Sequence, residues 1–249
     1  MIIFDMDDTL VKREEVYIEA QKNLLQTLKE FGANILNLND SLAILRKIDF
    51  KLVSLHRGEF MYNYEELARA LWLHIVEKKN LNNACRVAFQ EGKKGVHFKQ
   101  TKEAAKRHDK ILKEKIPELK ENAIETLKNL REKYVLILLS TGKEDIQKHV
   151  INYYNFDKIF DLINICPRKN LKVFKEVKKK GLEILNNKYP GSSDRIIVVG
   201  DMLSQDIAYG KRIKAETIWI PGPYDPKTCK IRPDHKIANL LELLDLLLP

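Results

Sequence analysis

Ile2-Ile3-Phe4-Asp5-Met6-Asp7-Asp8-Thr9-Leu10 is the stretch that decides the fold. Three successive apolar residues suit a parallel strand buried on both faces, and the run then meets the carboxylates of Asp5, Asp7 and Asp8. Acids that follow a buried strand stand at the carboxyl edge of the sheet, where open α/β sheets bind ligands. Crowded and uncompensated there, they repel one another and drift toward their neutral forms, and a cation is the simplest way to keep them ionised. The nonapeptide therefore points to a Mg²⁺ site with a nucleophile in it.

Further along, Tyr134 to Leu139 and Arg195 to Val199 have the same continuous apolar character, and both run into polar residues, Ser140-Thr141-Gly142 and Gly200-Asp201. Three strand ends thus converge on one crevice. Leu162 to Ile165 and Thr217 to Ile220 are shorter strand candidates, each after a helix-like stretch. The alternation of strand and helix from about residue 120 predicts an α/β fold, a doubly wound and mainly parallel Rossmann-like sheet.

More than a hundred residues with no convincing strand separate the first strand from the second. Glu14 to Phe31, Tyr64 to Glu77, Leu81 to Glu91 and Thr101 to Glu114 instead repeat apolar side chains at helical spacing. A crossover needs only a dozen or more residues, so this insertion is expected to be a domain of its own. The predicted organisation is a core of residues 1–12 and 118–249 and an all-helical cap of residues 13–117, inserted straight after the acidic loop and hung over the crevice. Pro117 marks re-entry, through a helix from Glu118 to Arg131; Ile237 to Leu248 reads as a final helix packed outside the sheet.

The 249 residues suffice for a full core. With 44% hydrophobic and 32% charged residues the composition is globular, no apolar run is long enough to span a bilayer, and the start lacks the pattern of a signal peptide. A cytoplasmic protein with no membrane partner is expected. Cys85, Cys166 and Cys229 are widely spaced and form no CxxC pair, which suggests neither a disulfide framework nor a zinc site. The net charge of +9 is uneven: residues 86–115 hold ten Lys or Arg against four acids. This reads first as a solvated helix face and second as an anion-attracting surface. Nucleic acid is not expected, since aromatic residues are not interleaved with the basic ones.

Four elements in order resemble the haloacid dehalogenase-like superfamily: Asp5-Met6-Asp7-Asp8-Thr9 for DxDx(T/V), Ser140 at a strand end, a lysine near residue 169, and Gly200-Asp201-Met202-Leu203-Ser204-Gln205-Asp206 for GDxxxxD. The resemblance covers the core part of the chain. It implies a hydrolase in which Asp5 attacks phosphorus to give an aspartyl-phosphate, splitting one difficult step into two, while Asp7 protonates the leaving alcohol and later deprotonates water. Mg²⁺ would be held by Asp5, the backbone carbonyl of Asp7 and Asp201, with Asp206 as a ligand or a holder behind the ligands. Thr9 would brace the loop, and Asp8 would tune or cap. Ser140, with the amides of Thr141 and Gly142, would bind the phosphoryl group. Lys169 would neutralise it; Lys172 is the competing lysine, and the spacing to Phe174 favours Lys169.

Relatives that attack carbon lack an acid/base Asp two residues after the nucleophile, so Asp7 implies phosphate chemistry on a small phosphorylated metabolite. Phosphonatase or sugar-phosphate mutase action stays open. So does a non-catalytic phosphate- or polyanion-binding protein on the same fold. A phospho-aspartate receiver module fits poorly, because it is about half this length and its Asp follows a central strand of the series. Within the insertion, His56-Arg57-Gly58-Glu59-Phe60 reads either as a substrate-facing loop or as plain surface, and Trp72 and His74 as core and surface. Lys178-Lys179-Lys180 reads as a solvated face.

Overall fold

The computed structural model describes residues 1–57, 63–192, 194–223 and 229–248. Six strands form one sheet in the order β3-β2-β1-β4-β5-β6: β1 (Ile2–Phe4), β2 (Leu136–Thr141), β3 (Leu162–Cys166), β4 (Ile197–Gly200), β5 (Glu216–Trp219) and β6 (His235–Lys236). Every pairing is parallel. Around the sheet lie α6 (Ala123–Arg131), α7 (Glu144–Tyr153), α8 (Leu171–Lys188), α9 (Ala208–Arg212) and α10 (Glu242–Leu247). Ile2 and Phe4 pack on one face with Leu138, Val199 and the apolar sides of α6, α7 and α10; Ile3 packs on the other with Ile137, Val198 and Phe174 of α8. Burial on both faces is why these strands carry continuous apolar runs rather than alternation.

The chain divides into two compact units, residues 1–14 with 117–249, and residues 15–116. The second holds α1 (Arg13–Glu30, whose first two residues belong to the first unit), α2 (Leu38–Leu55), α3 (Tyr64–Ile75), α4 (Leu81–Lys93) and α5 (Lys99–Glu114). Its core is aliphatic, with Leu24, Leu28, Leu45, Ile48, Leu52, Leu67 and Leu71 buried. Beside it sits a polar knot. Arg69 donates to Glu91 and Glu77 and stacks on the Phe98 ring, while His97 meets Glu65. His56 is not plain surface: its Nε2 lies 2.7 Å from Glu66 Oε2 in a partly buried pair. Gly58, Glu59 and Phe60 lie outside the described residues. Trp72 is only half-buried, and His74 meets the Lys79 carbonyl. The basic surplus of residues 86–115 is partly paired, Arg107 with Glu30 and Glu103, and Lys115 with Glu19. Among the described residues no helix is long and apolar enough to cross a membrane.

Several elements depart from expectation for local reasons. The helix expected from Glu118 starts at Ala123, because Lys12 and Lys120 instead exchange backbone bonds with Glu118 and Leu10, making Leu119 a partner of Val11. The final helix shrinks to Glu242–Leu247, since Glu242 Oε1 accepts from the amides of Ala238 and Asn239 and holds a turn there. Lys178 is no solvated charge; it donates to the Ile213 carbonyl. Strand β6 has two residues, too few for a sequence pattern, and Asp234 before it does the fastening.

Asp234 accepts from Lys211 and from both the amide and hydroxyl of Thr217, and these bonds hold its carboxyl down at about 2. A depressed carboxyl contributes stability above its ordinary value of 3.8 and loses it as pH falls toward 2. Asp234→Ala is therefore expected to cost roughly 1 kcal/mol near neutrality, about 2–4 °C in melting temperature, and to flatten the loss of stability between pH 4 and 2. Thermal melts across that range check it; an acid limb identical to the wild type contradicts it.

Candidate active site

The register of the sheet sets Phe4 level with Leu138 and with Val199. Asp5 just past β1, Ser140 and Thr141 at the end of β2, and Gly200-Asp201 at the end of β4 therefore stand at one edge of three adjacent strands. The Asp5 amide donates to the Val199 carbonyl at 3.0 Å, anchoring the acidic loop to β4 as β1 ends. Ser140 is fully buried, and its hydroxyl finds no partner among the described residues. An unsatisfied buried hydroxyl costs free energy, which suits a group waiting for a ligand.

Lys169 arrives from the far side of β3. Asn170 accepts from the Val173 amide and caps α8, which leaves Lys169 directly before the cap. Its Nζ lies 2.5 Å from Asp5 Oδ1 and 2.7 Å from Asp206 Oδ1, and the side chain is buried. Lys172 is 86% exposed and faces Glu176 at 3.9 Å. Of the two lysines, only Lys169 meets the carboxylates.

Asp206 spends its other oxygen on the Met202 amide, across a single π-helical turn at Leu203–Ile207. Gly200 permits the approach: a Cβ at that position would lie 2.4 Å from Asp206 Cγ. Asp206 is thus the holder of Lys169. Burial works against the Lys169 ammonium, but Asp206 and Asp5 outweigh it and keep its pKa above the ordinary lysine value.

Asp5, Asp201 and Asp206 bring one carboxylate oxygen each within 4.8 Å of one another. Burial raises all three, pushing Asp206 up to about 6 and Asp201 well above the usual carboxylate range. The Asp201 carboxylate accepts no hydrogen bond from the described residues, though its backbone carbonyl accepts from Trp219 Nε1 at 2.7 Å. Two buried carboxylates bound to a lysine and a third with no partner among the described residues are a donor set short of positive charge, and hard oxygen donors of this kind suit a divalent cation such as Mg²⁺.

The rest of the acidic loop is divided among different tasks. Thr9 donates to Asp5 Oδ2 at 3.3 Å. Asp8, at φ +58°, turns its carboxylate onto the Glu14 amide at the start of α1, and burial together with the charge of Asp7 lifts its pKa to about 7. Asp7 is a quarter exposed; its Oδ2 accepts from Gln147 Nε2 at 2.7 Å, and its Oδ1 lies 4.0 Å from Arg13 Nε. Neither Gln147 nor Arg13 stands out in the sequence. Arg13 offered a faint mark as a cation just after three acids; Gln147 offered none. The Gly142 amide, expected near the phosphoryl group, here donates to the Cys166 carbonyl at 3.3 Å.

A family model for haloacid dehalogenase-like hydrolases matches residues 1–214. The chain belongs to the haloacid dehalogenase-like hydrolases. Among solved structures, this hydrolase is similar to YfnB from Bacillus subtilis, described as a HAD-hydrolase bound to magnesium, at 19% identity and TM-score 0.68, over 99% of this chain and 97% of that one. A predicted phosphoglycolate phosphatase from Haemophilus somnus shares 16% identity at TM-score 0.59, over 99% and 96% of the two chains. A 2-haloacid dehalogenase from Pseudomonas syringae shares 18% at TM-score 0.54, over 99% and 97%. At such identities the likeness speaks to the fold alone. No curated protein matches the sequence.

Proposed function

We propose that this hydrolase cleaves small phosphomonoesters through an aspartyl-phosphate on Asp5, with Mg²⁺ as its cation. The observation that carries the reading is Asp7: a second carboxylate two residues beyond the nucleophile, held by Gln147 and kept partly open to solvent, supplies the proton transfers that an alcohol leaving group and then a water require. Carbon-attacking relatives have no use for it. Asp5 attacks phosphorus as the bond to the alcohol breaks, Lys169 keeps the nucleophile ionised, and the Ser140 hydroxyl donates to a phosphoryl oxygen. Asp5, Asp201 and the Asp7 carbonyl are the groups proposed to hold the metal. When bound, Mg²⁺ would neutralise charge on the transferring group. The helical residues 13–117 are read as the cap that selects the substrate.

A panel of phosphorylated metabolites assayed for phosphate release, with Mg²⁺ and with a chelator, tests the reading. Turnover of at least one member is expected, falling by about 10²-fold or more with chelator and returning on adding Mg²⁺. Halide release from 2-haloacids with an inert phosphate panel would place the chain with the dehalogenases instead.

A further inference from the structure

Gln147 lies on α7 and is 2% exposed. Its Nε2 is 2.7 Å from Asp7 Oδ2 and 2.8 Å from the Thr141 carbonyl oxygen. Both neighbours are acceptors, and an amide nitrogen carries two hydrogens, so both are used. Turned over, the amide would set its oxygen against two oxygens, which fixes its orientation by chemistry. Gly142 leaves the room: at φ +147° it adopts a backbone that side chains rarely reach, and a Cβ there would lie 2.5 Å from Gln147 Nε2. The Oε1 atom has no partner among the described residues. As core filling this amide is a poor choice, because an orphaned buried oxygen costs what a leucine would not. What it adds is a tie from the end of β2 to Asp7.

We infer that Gln147 is a positioning residue for Asp7, tying its carboxylate through Oδ2 to the end of β2. The inference rests on the phosphatase reading above. Oδ1 is buried with no hydrogen bond among the described residues, and Arg13 Nε lies 4.0 Å from it, so the Gln147 bond is what fixes how the carboxyl is turned. In the first step the Asp5 oxygen–phosphorus bond forms, the bond from phosphorus to the alcohol oxygen breaks, and that oxygen takes the Asp7 proton. In the second, water attacks the acyl phosphate, gives a proton back to Asp7 and releases Asp5. With the tie cut, the carboxyl is free to turn away from the leaving group.

The test uses the full chain carrying Gln147→Leu, with single-turnover release of alcohol measured for p-nitrophenyl phosphate, whose leaving group needs little protonation, and for an unactivated alkyl phosphate. Loss of positioning is expected to slow the alkyl substrate by about 10²-fold and the aryl substrate by less than about threefold. In an Asp7→Asn background the same substitution is expected to change neither. Equal losses on both substrates, or a loss that persists without Asp7, overturn the role and leave Gln147 as a brace for Thr141. Gln147→Glu keeps the volume without the donors and carries the same test if the leucine variant fails to fold. A wild-type chain inert toward both substrates overturns the phosphatase reading and this role with it, which is a different result from unequal behaviour of the variants.

Discussion

Asp5→Asn is expected to lower phosphomonoester hydrolysis by at least about 10⁴-fold while the protein melts no lower than the wild type. The first half follows from chemistry: an amide oxygen at this position cannot form the acyl phosphate, and no other described carboxylate combines the lysine contact with a place at the end of β1. The second half follows from charge. Asp5 is buried and shares Lys169 with Asp206, while the carboxylate of Asp201 stands nearby without a partner among the described residues; removing one negative charge relieves repulsion, and the asparagine oxygen can still accept from Lys169, with the amide nitrogen in place of the oxygen that Thr9 meets. A continuous phosphate-release assay with parallel thermal melts decides the matter. Activity within about tenfold of the wild type would remove Asp5 from the role of nucleophile.

Lys169→Met is expected to damage stability as much as activity. A buried ion pair that loses one partner typically costs about 3–5 kcal/mol, because the remaining charge has neither water nor counter-ion; here two carboxylates are left in that condition. In a chain of this size the loss corresponds to roughly 6–20 °C in melting temperature. The pH dependence has a definite sign. Asp206, already raised to about 6, contributes stability that is fully present below its ordinary value of 3.8 and is lost as pH rises through its folded value, and removing the ammonium moves that folded value higher. Lys169 itself, raised above the ordinary lysine value, stays charged throughout this range. The variant's deficit should therefore be large at pH 8 and shrink toward pH 5, and adding Asp5→Asn should recover part of it. A deficit independent of pH, or strict additivity of the two substitutions, would show that Lys169 does not compensate these acids.

What could be read in advance depended on whether a residue's partner was fixed by the chain nearby. Asp5, Asp7, Asp201 and Ser140 each follow an apolar run, so their place at the edge of the sheet came from strand patterning alone. Lys169 and Lys172 could not be separated by pattern; the difference is that Asn170 caps α8, which leaves one lysine before the helix and puts the other on its surface. Asp206 read as a ligand or a holder, and only the turn that lays its second oxygen on the Met202 amide shows how it is occupied. Gln147 was invisible because its partners, Asp7 and Thr141, meet it through the packing of α7 and share no spacing with it. The short β6 was missed for a related reason, since its hold is a side chain, Asp234, rather than a run of β-formers.

The order of strands also governs how this chain can assemble. Ile2 in the central strand pairs with Leu136 on one side and Ile197 on the other, so its neighbours are made long after it. During synthesis at the ribosome, β1 emerges before both of its partners and waits with both backbone edges open until β2 and β4 have followed, while the helices of residues 15–116 need only neighbours close in sequence. Closure over such long separations is slow, and an apolar segment exposed meanwhile is prone to aggregate. The acidic loop that follows β1 is thus also a charged flank on the most vulnerable strand of the nascent chain.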